Sequence, residues 1–175
     1  MESYGNDIWG NLDNFRFVYQ SLTGDGFIVA QLSYANKPYA WSKAEIMIRE
    51  SLQPNSAYSM LMYTPMNHTT VQQRSSTGAY SVDNPNETEH FYIHNKWFKI
   101  PKQGNVITSS CSKDKVIWVQ MGQQIITMGS QVYLGMAVSG GSAKYPSRAI
   151  FDSITVNRTN VRPTIAITLP ADYLN

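Results

Sequence analysis

The chain has 175 residues, enough for one ordinary domain with a hydrophobic core of its own. Charged residues make up 15% and aromatics 12%, the reverse of a disordered chain, which is rich in charge and poor in aromatics. A net charge of +2 is too small to argue for nucleic acid or an anionic membrane as partner, and no stretch approaches the roughly 18 apolar residues of a membrane span.

In chain order, Phe15–Tyr19 alternates and puts three aromatics on one face. Thr23-Gly24-Asp25-Gly26 follows, and an Asp-Gly pair between alternating runs predicts a hairpin into a return strand at Phe27–Tyr34. Ala44–Ser51 and Ser59–Thr64 are the next two strands, separated by the turn Gln53-Pro54-Asn55-Ser56. Thr69–Thr77 is polar but β-prone, and His90–Ile100 is aromatic-rich. Val106–Cys111, Val116–Met121, Val132–Val138 and Ala149–Val156 complete about ten short strands, the pattern of an all-β sandwich or barrel. Ser42-Lys43-Ala44-Glu45 has the form of a helix capping box, but the β-branched neighbours of Met47 suit a strand better. Cys111 is the one cysteine, so no intrachain disulfide forms, and its place in an apolar alternating run predicts a small buried side chain. Met1–Tyr4 has neither the basic nor the apolar stretch of a secretory leader.

Three stretches carry a family resemblance. Asp7-Ile8-Trp9-Gly10 with Phe15–Gln20 and Gly24-Asp25-Gly26 resembles the opening of a laminin-G-like (concanavalin-A-like) accessory module. Trp41-Ser42-Lys43-Ala44-Glu45-Ile46-Met47-Ile48-Arg49-Glu50-Ser51 is similar to that family's line Trp-Ala-Lys-Ala-Gly-Val-Met-Ile-Arg-Glu-Ser. Gln72-Gln73-Arg74-Ser75-Ser76-Thr77-Gly78 resembles its Gln-Arg-Arg-Thr-Ser-Thr-Gly, and Ser112–Gly122, Val132–Val138 and Phe151–Val156 resemble its last hairpin and strands. Glu45 and Lys115 stand where the family has glycine, and Asp83–His94 is longer and more polar than its counterpart.

The resemblance spans residues 7–156 and implies a jelly-roll β-sandwich of two curved antiparallel sheets. It also implies a module of secreted or cell-surface bacterial proteins, joined to carbohydrate-active or other neighbouring domains. The sandwich is expected over residues 1–158. Residues 159–175 read as a linker and a strand fragment, of which Arg162–Ile167 resembles the first strand of a bacterial Ig-like module. Sandwiches of this kind often hold a structural Ca²⁺ near the last strand. Asp152 occupies that place, with Asp7 and Asp25 as further candidate ligands, although calcium needs about six to eight oxygens.

The residues argue against chemistry. A retaining glycosidase needs two carboxyls about 5–5.5 Å apart. Glu45 and Glu50, the one close pair on a strand, are separated by an odd number and face opposite ways. His90, Tyr92 and His94 share one strand face without a third metal ligand nearby. No nucleophile elbow, phosphate loop or dinucleotide fingerprint is present. The sequons at Asn67, Asn86 and Asn157 are of a kind that arises by chance in an Asn- and Thr-rich chain.

Binding is the better expectation. Ile46 and Ile48 should face the core, which turns Glu45 and Arg49 to the open face of the sheet, and Gln72 and Arg74 share a face likewise. Arg49, Gln72 and Arg74, with Tyr63 or Tyr39 nearby, would form a polar platform for glycan hydroxyls. The same residues equally form a cross-strand ladder that only stabilises the sheet. Trp41, beside Tyr39 in a proline-containing loop, offers a ring for stacking or a plug at the sandwich edge, while Trp9, Trp97 and Trp118 read as core. The expected function is a non-catalytic carbohydrate-binding module of a secreted protein, held on polysaccharide. A structural or adhesion module with a protein partner is the alternative, and a diverged glycosidase the third.

Overall fold

The computed structural model describes residues 1–158 except Lys37, Asn67, 84–95 and 142–144. The expectations on His90, Tyr92 and His94, on the sequons at Asn67 and Asn86, and on residues 159–175 lie outside the described residues. The rest is an antiparallel β-sandwich. One six-stranded sheet has the order β1 (Glu2–Ser3), β14 (Ser147–Arg158), β5 (Gly26–Ala35), β10 (Lys96–Gln103), β11 (Val106–Ser112) and β12 (Trp118–Ile125). The other runs β4 (Arg16–Thr23), β13 (Gln131–Ser139), β6 (Lys43–Arg49), β7 (Tyr58–Thr64), β8 (His68–Arg74) and β9 (Val82–Asp83). A separate hairpin, β2 (Asp7–Trp9) and β3 (Leu12–Asn14), turns on Gly10, whose φ of 61° glycine adopts without steric cost.

Period-2 alternation builds the core between the sheets. Ala44, Ile46 and Ile48 of β6 and Leu61 and Tyr63 of β7 meet Ile28, Ala30 and Leu32 of β5 and Phe98 and Ile100 of β10 in one cluster. Cys111 is buried in that cluster, as its run suggested. The alternation then stops mattering for solvent, because every residue of β6 and β7 is buried. The cause is a third layer. The β2–β3 hairpin lies over the second sheet, and Ile8 packs with Met47, Tyr58, Met60, Met62 and Ala137, with Phe15 and Phe17 beside them.

Two expectations change here. Asp25-Gly26 does not close a ladder hairpin, since β4 pairs with β13 and β5 with β10 and β14 in the opposite sheet. The turn gives a tight reversal, with Gly24 at φ 81°, but long-range pairing decides which strand lies alongside. Trp97 and Trp118 are half-buried rather than core. Both sit on the outer face of the first sheet, Trp97 opposite Ser112 and Ser112 opposite Trp118, with the Lys115 and Lys99 ammonium groups 4.6 and 5.5 Å from their ring centres.

Candidate functional site

Cross-strand register places Arg49, Tyr58 and Arg74 in one row on the face beneath the hairpin. The next row holds Met47, Met60, Gln72 and Asp83, and the one after it Glu45, Met62 and Thr70. The expected common face of Arg49, Gln72 and Arg74 is therefore present, but as an open platform it is corrected. Arg49 is 1% exposed and Gln72 and Arg74 are 0% exposed, because the β2–β3 hairpin covers them.

Asp13 of β3 drops its carboxylate between the two arginines. Arg74 donates to both of its oxygens at 2.6 and 2.8 Å, and Arg49 to one of them at 3.3 Å. Arg49 also donates to the Ser51 and Gln53 carbonyls, and Arg74 to those of Gly10 and Ser56. The guanidiniums lie 5.0 and 4.9 Å from the ring centres of Phe15 and Tyr58. Burial pulls the Arg49 pKa down and Asp13 opposes that shift. Tyr58 donates to Ser81, which donates in turn to the Gly10 carbonyl, and Gln72 donates to the Ile8 carbonyl at 2.7 Å. Side chains of the sheet thus satisfy hairpin carbonyls that water would otherwise have to reach.

Alongside strand β2 the same face opens into a pocket of about 390 Å³, lined by Asp7, Trp9, Trp41, Lys43, Met62, Gln72 and Asp83. Trp9 is 47% exposed and Trp41 is 40% exposed. The core assignment of Trp9 is corrected: it precedes the hairpin turn, and Ile8 rather than its neighbour points into the sheet. Lys43 is buried, pairs with Asp7 and donates to the Ile8 carbonyl at 3.2 Å. Gln72 spends its amide nitrogen on Ile8 and Tyr58, and its buried carbonyl oxygen has no partner among the described residues. Asp83, opposite Gln72 on β9, makes no hydrogen bond or ion pair among the described residues. Partial shielding from water raises its pKa, with Lys43 opposing.

Glu45 lies on the same strand face as Lys43 and opposite Met62, is fully buried, and has neither carboxyl oxygen hydrogen-bonded among the described residues. Its pKa is pushed up to about 8, first by desolvation and then by Asp7 and Asp13, against the pull of Lys43. At neutral pH it holds its proton.

The remaining expectations fall elsewhere. Tyr39 is exposed in the loop before Trp41, while Tyr63 faces the core between the sheets, so its place on the platform is corrected by strand parity. Glu50 accepts from Thr77 and the Gly129 amide, away from Glu45. The three candidate calcium ligands sit on different elements. Asp7 is held by Lys43, Asp25 accepts from the Gly104 amide at 2.7 Å, and Asp152 on β14 accepts from Ser33. No three His, Cys, Asp or Glu side chains come together among the described residues. A second groove of about 370 Å³ lies on the β3 side, where Phe15, Phe17 and Tyr19 form a ladder with ring centres 5.8 and 5.2 Å apart.

No family profile and no curated protein sequence matches the chain. Its fold is shared with solved structures. One is a functionally unknown protein from Saccharomyces cerevisiae, with a TM-score of 0.70 at 11% identity over 91% of this chain and 86% of that one. A Bacteroides ovatus xyloglucan-locus GH43B matches with a TM-score of 0.49 at 10% identity, over 77% of this chain and 27% of that one. Lectin I from Ulex europaeus, in complex with the methyl glycoside of α-L-fucose, gives 0.42 at 8% identity, over 89% and 96%. The yeast likeness shows the two-sheet β-sandwich and nothing about activity.

Proposed function

We propose that this chain is a non-catalytic binding module of a secreted protein and that the Trp9–Trp41 pocket takes a carbohydrate. The observation that carries the reading is two half-exposed indoles facing one concavity together with planar polar groups at Gln72 and Asp83. Sugars present apolar CH faces to such rings and hydroxyls to such acceptors. Catalysis has less support. Among the described residues the one carboxyl with a strongly raised pKa, Glu45, is fully buried and does not line the pocket, so its proton has no path to a bound ligand.

Affinity electrophoresis through gels containing plant, algal and microbial polysaccharides tests the proposal, run with and without calcium. Retardation by one glycan class is expected, and Trp9→Ala and Trp41→Ala should each weaken it. A chain retarded by none of them would not be a carbohydrate module of this kind. The adhesion reading, with a protein partner, would then take its place. One observation favours that alternative: Val116 and Ile117, at the tip between β11 and β12, are 78% and 72% exposed.

A further inference from the structure

We infer that the pocket selects sugars carrying a free, protonated amino group, because among the described residues the polar groups it leaves unmatched are acceptors and its unpaired charge is negative. The inference rests on the carbohydrate reading above and narrows it to a ligand class.

The orientation of Gln72 decides the first point. An amide could present either its oxygen or its nitrogen to the pocket, but the Ile8 carbonyl accepts at 2.7 Å and therefore fixes the nitrogen on the hairpin side. Gln72 lines the pocket, and its oxygen is left buried beneath that surface without a donor among the described residues. A buried acceptor left unmet is destabilising, so a ligand that brings a donor recovers that penalty. Across the β8–β9 ladder, Asp83 stands opposite Gln72 and adds a second acceptor without a partner among the described residues.

Charge decides the second point. Lys43 is the one ammonium among the described lining residues, and Asp7 and the Ile8 carbonyl already occupy it. That pair is neutral, which leaves Asp83 as the charge without an ion pair among the described lining residues. A carboxylated or sulfated sugar would meet this carboxylate with no free cation among the described lining residues to offset it. A neutral sugar would satisfy the acceptors and leave the charge unmatched. An ammonium satisfies both, donates up to three hydrogen bonds, and is attracted to the faces of Trp9 and Trp41 through their quadrupoles.

The test compares three β-1,4-linked tetrasaccharides that differ only at C2: the glucosamine tetramer, its N-acetylated counterpart, and cellotetraose. Isothermal titration of the full chain should give the glucosamine tetramer about a tenfold advantage, ~1.4 kcal/mol, over both neutral ligands. The advantage should shrink in about 1 M salt, where the Debye length is about 3 Å. It should also vanish as the pH rises through the amine's own pKa. Asp83→Asn should bring the glucosamine tetramer down to the neutral level without changing thermal stability, since Asp83 sits at the exposed rim. Equal affinities for all three, a preference for a neutral one, or no binding of the glucosamine tetramer would overturn the inference. In each of these cases, retardation of the chain by any polysaccharide gel would leave the carbohydrate reading standing.

Discussion

Strands β2 and β3 of the N-terminal hairpin lie over one sheet face, yet what they cover differs in kind. Under β3, Asp13, Arg49, Arg74, Tyr58 and Ser81 form a network in which both carboxylate oxygens are engaged and the arginines reach five backbone carbonyls. Under β2, the Gln72 oxygen and the Glu45 carboxyl are buried without partners among the described residues, and a pocket bounded by two indoles opens beside them. Within the clamp only the Arg74 Nε–H is buried without a partner among the described residues; a polar network paired to that degree rigidifies a fold, whereas unmet buried groups cost stability. The β3 side is the clamp that holds the hairpin down. The β2 side is where a ligand has something to contribute.

Breaking the clamp should produce the largest effect. Asp13→Asn leaves two buried guanidiniums without their counter-ion and should cost about 3–5 kcal/mol in urea unfolding. A loss within experimental error would show that the network is incidental. Next is Glu45. Its pKa is raised from the model-compound value of 4.5 to about 8 in the fold, so the folded state binds a proton more tightly than the unfolded chain. The resulting stability is fully present below about 4.5 and is lost as the pH rises to about 8, by an amount on the order of a few kcal/mol. Glu45→Gln keeps the neutral shape and should flatten this part of the profile, which thermal melts from acid to mildly alkaline pH would reveal. Parallel profiles for the two proteins would mean that Glu45 does not titrate in this window.

Smaller changes sharpen the contrast. Trp41→Ala should reduce glycan affinity about tenfold, ~1.4 kcal/mol, with the melting temperature nearly unchanged. A large drop in melting temperature would make Trp41 an edge plug instead. Ser81→Ala, at the margin of the clamp, removes the acceptor of the Tyr58 hydroxyl and one donor to Gly10. It should cost about 1–2 kcal/mol in urea unfolding and leave glycan binding as it was.

Much of this was legible in the residues. Strand positions follow from period-2 alternation and turn chemistry: Ala44–Ser51 and Ser59–Thr64 became Lys43–Arg49 and Tyr58–Thr64. The parity that sent Ile46 and Ile48 inward and grouped Arg49, Gln72 and Arg74 was correct, because a strand fixes its faces locally. Lys115, noted where the resembling family has glycine, sits at φ 66° in the β11–β12 turn, a left-handed conformation that costs an L-residue roughly 1–2 kcal/mol. Its ammonium, over the ring of Trp97, offsets part of that cost.

The sequence by itself therefore determined the elements, their faces and the two-sheet class, since these depend on neighbours along the chain. Only the tertiary structure decided what lies on the face of Arg49 and Arg74. Asp7–Asn14 is too short and too mixed to announce a strand pair, and nothing local says it folds over the second sheet. That placement turned the expected open platform into a buried clamp and brought Trp9 beside Trp41. A side chain's exposure depends on which distant segment covers it, and that choice is made by burial and pairing across the whole fold.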